Sequence, residues 1–462
     1  MKKISVSAKV NNDGFSILLN MQKYNHCYPF KIWQNYPNLL KLPLAETAAY
    51  FFTHNLPAFQ KVKLDYRFPP PAAYSLYVHG LVYSLLEVSC YKKSTVSALK
   101  KSFNSSFSLS FTGVPHCYPQ IKIDDPDKKK AVILFTFGKD SLLTLALTEE
   151  LGLKSELFFM DEPQSPYELQ ARDKFKGEFS RQFKTKLNII NLEVGNLRQF
   201  GGQMWGWDLI IMEYLLLLLP FIRYSRAAYF FISNEHNNDE IETDKEGFLT
   251  YYRYEQSSQW TLNLNHLLRL FASKAHASSL IEPLYEFLAV YILHHRYPAF
   301  ARYHLSCCGD DEKSAVKRWC GVCFACTRMY LFLLSFGIDP EFVGFHENLL
   351  KKDKSKYYGN LFEKNRISDW PQFLNSNAEI LLAFYLAYLR GNNGELMIIF
   401  RKKYLFRVEK NIKLLMGKVL RLYSTESVPG ELKNRLLPIY KSELENLKKE
   451  IRLLSAVHAG KY

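Results

Sequence analysis

The chain has 462 residues, of which 48% are hydrophobic and 15% aromatic. That is enough apolar material for about two to four domains with large cores, and it excludes a disordered protein. Lys and Arg outnumber Asp and Glu by 60 to 45, a formal charge of +15, which points to an anionic partner: a nucleotide, a nucleic acid or an acidic protein.

The N-terminal "MKKISVSAKVNNDG" lacks the apolar stretch of a secretory signal, so a cytoplasmic protein is expected. Residues 1–126 mix aromatic segments with proline-rich loops such as "YRFPPPAAYSLYVHG" and carry no chemical motif. They read as an accessory α+β domain. The charged, proline-containing "IDDPDKKK" (123–130) marks its end.

Strand and helix patterns then alternate. "AVILFTF" (131–137) is an apolar run of strand length, and "SLLTLALTEELG" (141–152) has helical leucine spacing with Gly152 placed to cap the C-terminus. "SELFFMD" (155–161) is a second strand. The helix after it opens with Ser165, Pro166 and Glu168, the pattern of a capping box. "LNIINLEV" (187–194) is a third strand and "AAYFFIS" (227–233) a fourth. Between them, the run Leu209–Ile222 is interrupted by Glu213 and Pro220; it is too short to span a membrane and reads as a buried helix. Near-continuous apolar strands alternating with helices predict a parallel sheet covered on both faces. Residues 127–305 are assigned to this unit, 306–346 to a cysteine-rich segment and 347–462 to a helical, basic region. From Arg401 onward there are fifteen Lys and Arg against six Glu. A solvated helical face accounts for that excess as well as a binding surface does.

The segment "FTFGKDSL" (135–142) falls at the carboxyl end of the first strand of the unit, where open parallel sheets bind ligands. It leads into a helix N-terminus, whose free N–H groups favour an anion. Gly138 permits close backbone approach, Thr136 and Ser141 offer hydroxyls, Lys139 a positive charge, and Asp140 an oxygen for magnesium. A plain strand-to-helix turn is the competing reading. Asp140 and Ser141 are expected to face solvent.

The segment resembles the SGGxDS loop of the PP-loop ATP pyrophosphatases, enzymes that cleave ATP to AMP and pyrophosphate while adenylating a substrate. Gly138, Asp140 and Ser141 match, Thr136 stands for the first serine, and Phe137 replaces the first glycine. The resemblance implies a Rossmann-like α/β domain that binds ATP through Phe135, Thr136, Phe137, Gly138, Lys139, Asp140, Ser141 and Leu142, with Lys139, Asp140 and Ser141 in the catalytic role. A bulky residue resists positive φ. Two arrangements are open: on the usual loop path the Phe137 ring turns away from the phosphates, into the sheet–helix interface, or the ring fills the pyrophosphate cradle and the protein binds ATP poorly. "FMDEPQSPYELQARDKF" is similar to the "FDYGQ…EL…A" segment of 7-cyano-7-deazaguanine synthase, the queuosine-pathway member, which places Met160 and Asp161 against adenine.

The cysteines give the most specific pattern. Cys320, Cys323 and Cys326 form CxxCxxC, and Cys307 or Cys308 can supply a fourth thiolate. Four thiolates suit a closed tetrahedral zinc site; an iron–sulfur cluster is the minor alternative. The same synthase family carries "SC…CGxCxxC". Ser306-Cys307 and Cys320–Cys326 match it, which favours Cys307, and the family's arginine is displaced to Arg328.

The resemblance covers about residues 130–340 and implies activation of the carboxylate of 7-carboxy-7-deazaguanine or a similar small molecule, with ATP, Mg2+ and Zn2+ as cofactors. An amine then displaces AMP; in the biosynthetic enzyme it is ammonia, and the amide is dehydrated to a nitrile. Trp207, Asp208, Asn234, Glu235, Tyr254 and Gln256 are the substrate candidates, against the simpler readings that Asp208 caps a helix and the others satisfy local backbone. The family's "DxSGYPDCR" segment is absent. Extra domains and the lost substrate motif resemble the longer relatives found in bacterial anti-phage defence operons, which implies a protein acceptor or a defence-complex partner. A tRNA-modifying PP-loop enzyme and a non-catalytic nucleotide-binding scaffold are the alternatives.

Overall fold

Three strands, β1 (Lys2–Asn11), β2 (Gly14–Leu19) and β3 (Gln22–Cys27), form an antiparallel meander. β4 (Val62–Tyr66) adds parallel to β1, and β5 (Leu109–Phe111) parallel to β4, giving the order β3-β2-β1-β4-β5. Along β2 the side chains of Phe15, Ile17 and Leu19 are fully buried. The helix Asn38–Phe51 covers them with Leu40, Leu44 and Ala48. This computed structural model describes all residues except 1, 92–93, 107–108, 116–117, 119–120, 122–124, 203–204, 207–208, 244–245, 252, 308–311, 359–360, 363–375, 459 and 461–462.

The second sheet is built from β6 (Asp127–Leu134), β7 (Lys154–Asp161), β8 (Leu187–Asn191) and β9 (Ala227–Ile232). A small hairpin follows, β10 (Ile241–Thr243) and β11 (Leu249–Tyr251), and then the sheet's fifth strand, β12 (His276–Ser279). All its pairings are parallel and its order is β12-β9-β6-β7-β8. Counted within the unit that is 5-4-1-2-3, the order of a doubly wound sheet, with the switch point between β6 and β9. The predicted parallel sheet is therefore present.

Strand periodicity divides the interior. Val132, Phe158, Met160, Phe230 and Ile232 face a core that also contains the N-terminal sheet and the helix Ile210–Ser225. Ala131, Ile133, Leu157, Phe159 and Phe231 face the opposite way. They share a core with the helices Lys139–Glu150 and Glu286–Arg296, the cysteine segment, and the C-terminal helices Ser376–Leu389 and Gly430–His458. Buried apolar contact thus runs across residues 126, 305 and 346. No helix is long and apolar enough to cross a membrane among the described residues.

Two local expectations change. Ser165 precedes the helix Pro166–Gln182, but its side chain makes no capping hydrogen bond. The carboxylate of Glu168 pairs instead with Arg172 at 3.0 Å, and that guanidinium is needed one turn on to hold the loop after β6. The strand read as 131–137 ends at Leu134, because the Thr136 N–H leaves the ladder and donates to the Ser141 hydroxyl at 3.2 Å.

Candidate functional site

The loop from β6 to the helix Lys139–Glu150 lies at the switch point, with the segment after β9 beside it. Gly138 is the N-cap residue at φ −66°, an ordinary conformation. Phe137 takes the left-handed one, at φ +59°. For a residue with a side chain this costs roughly 1–2 kcal/mol. The ring is fully buried against Phe135, Phe175 and Phe179, with centroids at 4.7, 4.8 and 5.0 Å. That burial, worth roughly 2–3 kcal/mol, offsets the strain, and the ring occupies the interior as the loop path requires.

Three hydroxyls gather at Gly138. The Ser141 hydroxyl donates to the Gly138 carbonyl at 3.1 Å and lies 3.5 Å from the Thr136 hydroxyl oxygen. The Lys139 N–H donates to the Ser306 hydroxyl oxygen at 3.1 Å. A Cβ on Gly138 would sit 3.2 Å from the Thr136 oxygen and 3.8 Å from that of Ser306, so a side chain here would crowd this hollow. Arg172 donates to the Thr136 carbonyl at 2.5 Å, fixing the loop from the neighbouring helix. Thr136 is exposed and Asp140 half-buried, whereas Ser141 is buried rather than solvent-facing, since its hydroxyl closes the loop.

The Lys139 ammonium points away from this hollow. It is buried and enclosed by Asp140 at 2.7 Å, Glu235 at 3.1 Å and Glu286 at 3.1 Å. Burial alone would lower its pKa, but the three carboxylates outweigh burial and hold it above the usual lysine value. Arg328 pairs with Glu286 and, at 3.2 Å, with Glu379. Four carboxylates thus face two cations. Burial pushes Asp140 up, Glu235 far up, and Glu379 up to about 7, while the attraction of Arg328 and Lys139 outweighs burial at Glu286 and lowers it. Protons or a cation must balance the excess negative charge. Lys139, read from sequence as a catalytic and ATP-binding residue, here has its ammonium buried among three carboxylates.

The second centre is metal-like. The sulfur atoms of Cys307, Cys320, Cys323 and Cys326 lie within 4.8 Å of one another. Cys323 caps the helix Phe324–Phe336 by accepting from the Cys326 N–H at 3.4 Å, and Cys320 accepts from Val322 at 3.5 Å. Hydrogen bonding to Cys307 and the other thiols pushes Cys320 and Cys326 up, so without a cation they hold their protons; a cation bound by all four would take them as thiolates. The donor set fits zinc. Cys308 lies outside the described residues.

No protein-family model and no curated protein matches this sequence.

The remaining candidates scatter. Phe135 and Leu142 are core, and Met160 is buried on the face shared with the N-terminal sheet. Asp161 ends β7 half-buried, raised by burial and by Asp173 and Glu162. Asn234 is buried beside Glu235, its amide nitrogen without a partner among the described residues. Tyr254 packs with Tyr83 and Trp260 and is hydrogen-bonded to His79 at 2.7 Å; Gln256 lies half-exposed in the same short turn. Trp207 and Asp208 lie outside the described residues. The residues that sequence reading missed are Arg172, Glu286 and Glu379, and Ser306 was read only as part of the cysteine motif, with no part in the loop. Glu286 and Glu379 each stand alone in apolar helical runs, "EFLAVYIL" and "AEILLAFYL", which was the available signal.

Proposed function

We propose that the protein binds ATP at Thr136–Ser141 and uses it to adenylate the carboxylate of a 7-deazaguanine, then passes the acyl group to an amine, either ammonia or a protein amine. The observation that carries this reading is the hollow at Gly138, ringed by the hydroxyls of Thr136, Ser141 and Ser306 at the switch point of a parallel sheet. The motif order of loop, second strand and CxxCxxC supports it.

In the first step a substrate carboxylate oxygen bonds to the α-phosphorus, and the bond from that phosphorus to the bridging oxygen breaks, releasing pyrophosphate. In the second the amine nitrogen bonds to the acyl carbon, AMP leaves, and the amine's proton passes to solvent. The chain's part is positioning: amides and hydroxyls at the loop hold the phosphates in line, and no side-chain nucleophile is required. Lys139 acts indirectly, locking Asp140, Glu235 and Glu286 into one rigid group. A magnesium ion suits the carboxylate oxygens of Asp140 and Glu235 and would supply neutralisation of pyrophosphate charge. Zinc at the four cysteines would be structural, with no open position.

Pyrophosphate exchange into ATP that depends on 7-carboxy-7-deazaguanine tests the reading. Asp140→Ala and Ser141→Ala should each lower it by at least about 100-fold with far-UV circular dichroism unchanged. Wild-type rates in both variants would remove the loop from the chemistry. ATP binding with no exchange would favour the scaffold reading. One observation favours a nucleic-acid substrate: Arg401, Lys402, Lys403, Arg407, Lys410 and Lys413 are all exposed on consecutive helices. A tRNA affinity that falls steeply with salt would support that alternative.

A further inference from the structure

The loop after β6 is fastened to the residues that lead directly into the cysteine centre. The Leu305 N–H donates to the Phe137 carbonyl at 2.9 Å, and the Lys139 N–H donates to the Ser306 hydroxyl oxygen at 3.1 Å. One residue later, Cys307 is buried in the four-thiol cluster. The left-handed Phe137 and the first amide of the loop helix are therefore both held from outside the sheet.

Ser306 is itself held. The His304 Nε2 atom lies 2.8 Å from the Ser306 hydroxyl oxygen, and His304 Nδ1 lies 3.1 Å from His294 Nε2. Both imidazoles are buried, which pushes His294 down to about 3 and His304 well below the usual value, so both are neutral. Each then has one N–H and one bare nitrogen, and the chain has two proton arrangements. In one, Ser306 donates to His304, and His294 is left with a buried N–H at Nδ1. In the other, His294 donates to His304, His304 donates to Ser306, and His294 is left with a bare Nδ1. The Nδ1 atom of His294 has no hydrogen-bond partner among the described residues. An orphaned buried donor is the rarer defect, so the second arrangement wins. The Ser306 oxygen then accepts from both Lys139 and His304, and its own hydrogen is free to donate at the hollow.

We propose that Ser306 is a positioning residue for the Thr136–Ser141 loop, aimed by His304 and His294 and placed by the cysteine centre, so that this centre fixes the geometry of the anion-binding hollow. Its bearing on ATP rests on the reading given above; its hold on the loop does not.

Hydrogen exchange on the full-length, zinc-loaded protein tests this without nucleotide. Ser306→Ala should accelerate amide exchange in a peptic fragment spanning residues 135–142 at least fivefold, with zinc content and exchange in 376–389 unchanged. Ser306→Thr, which keeps the hydroxyl, should restore slow exchange. Chelation of the wild type should reproduce the Ser306→Ala pattern at the loop. Calorimetry with ATP completes the test, with at least fivefold weaker binding expected for Ser306→Ala and wild-type affinity for Ser306→Thr. Unchanged exchange in Ser306→Ala overturns the proposal, and so does faster exchange with unaltered ATP affinity. A wild type that binds no ATP, with exchange still dependent on Ser306, removes the ATP reading and supports the hold on the loop.

Discussion

Phe137 combines two opposing effects in one residue. Its left-handed backbone is strained by its own Cβ, and its ring fills an aromatic pocket between β6 and the helix Pro166–Gln182. Phe137→Ala should lose the ring and keep the strain, costing about 3–5 kcal/mol of stability. Phe137→Gly loses the ring and relieves the strain, so it should be the more stable variant by about 1 kcal/mol. Urea midpoints for the two proteins check this, and equal or reversed stability would show that the backbone is not strained there. Because the ring points away from the hollow, ATP binding by calorimetry should survive in Phe137→Gly. The inward direction of the ring was legible from sequence as one of two courses, the other being into the phosphate cradle. The left-handed backbone was not, since bulky residues rarely accept it.

Among elements, the turn after the edge strand β12 is sewn through Glu282 to the segment that leads into the last helix. Its carboxylate accepts from the Glu426 N–H at 2.9 Å and the Ser427 N–H at 3.0 Å, and from the Ser427 hydroxyl. The Tyr440 hydroxyl donates to the Leu280 carbonyl at 2.7 Å in the same seam. Burial pushes Glu282 up from 4.5 to about 7, with the Ser427 and Glu426 donors opposing it. A raised carboxyl pKa means that the folded protein holds the proton more tightly than the unfolded chain. The resulting stability is full below about pH 4.5 and lost as pH rises through about 7. Glu282→Gln should remove this part of the pH dependence, on the order of 2–3 kcal/mol between pH 5 and 8. Denaturant titrations of variant and wild type across that range supply the comparison; parallel curves would mean that Glu282 does not titrate in the fold.

At the scale of the molecule, both flanking regions are structural parts of the sheet's two cores. The N-terminal sheet and the helix Ile210–Ser225 bury one face, and the C-terminal helices bury helices on the other. Glu379, from the helix Ser376–Leu389, also completes the charge cluster by pairing with Arg328 and accepting from the Phe287 N–H at 2.8 Å. A chain ending at residue 346 would lose that carboxylate together with Leu382, Phe384 and Leu386, all almost fully buried, and so expose the face of the helix Phe324–Phe336 that they cover. Such a chain, and equally one starting at residue 127, should lose near-UV circular dichroism and bind a hydrophobic dye. Native spectra from either truncation would show a separable central domain.

Sequence alone determined the alternation that makes β6 to β9 parallel, the position of the loop at a strand end, and the three cysteines of CxxCxxC, whose fourth partner the structure supplies as Cys307. Each is written in local order: apolar runs, a glycine between strand and helix, and spacings of two residues between thiols. The tertiary structure decided the rest. It turned Lys139 inward, because two carboxylates from distant segments, Glu235 and Glu286, join that of its neighbour Asp140 at its ammonium. It recruited β12, a four-residue strand "HASS" with no apolar run to announce it. It brought Ser306 to the loop across 167 residues of sequence. Local patterns record which backbone shape a segment prefers; which buried charges neutralise one another depends on contacts between segments far apart in the chain, and only the folded core brings those together.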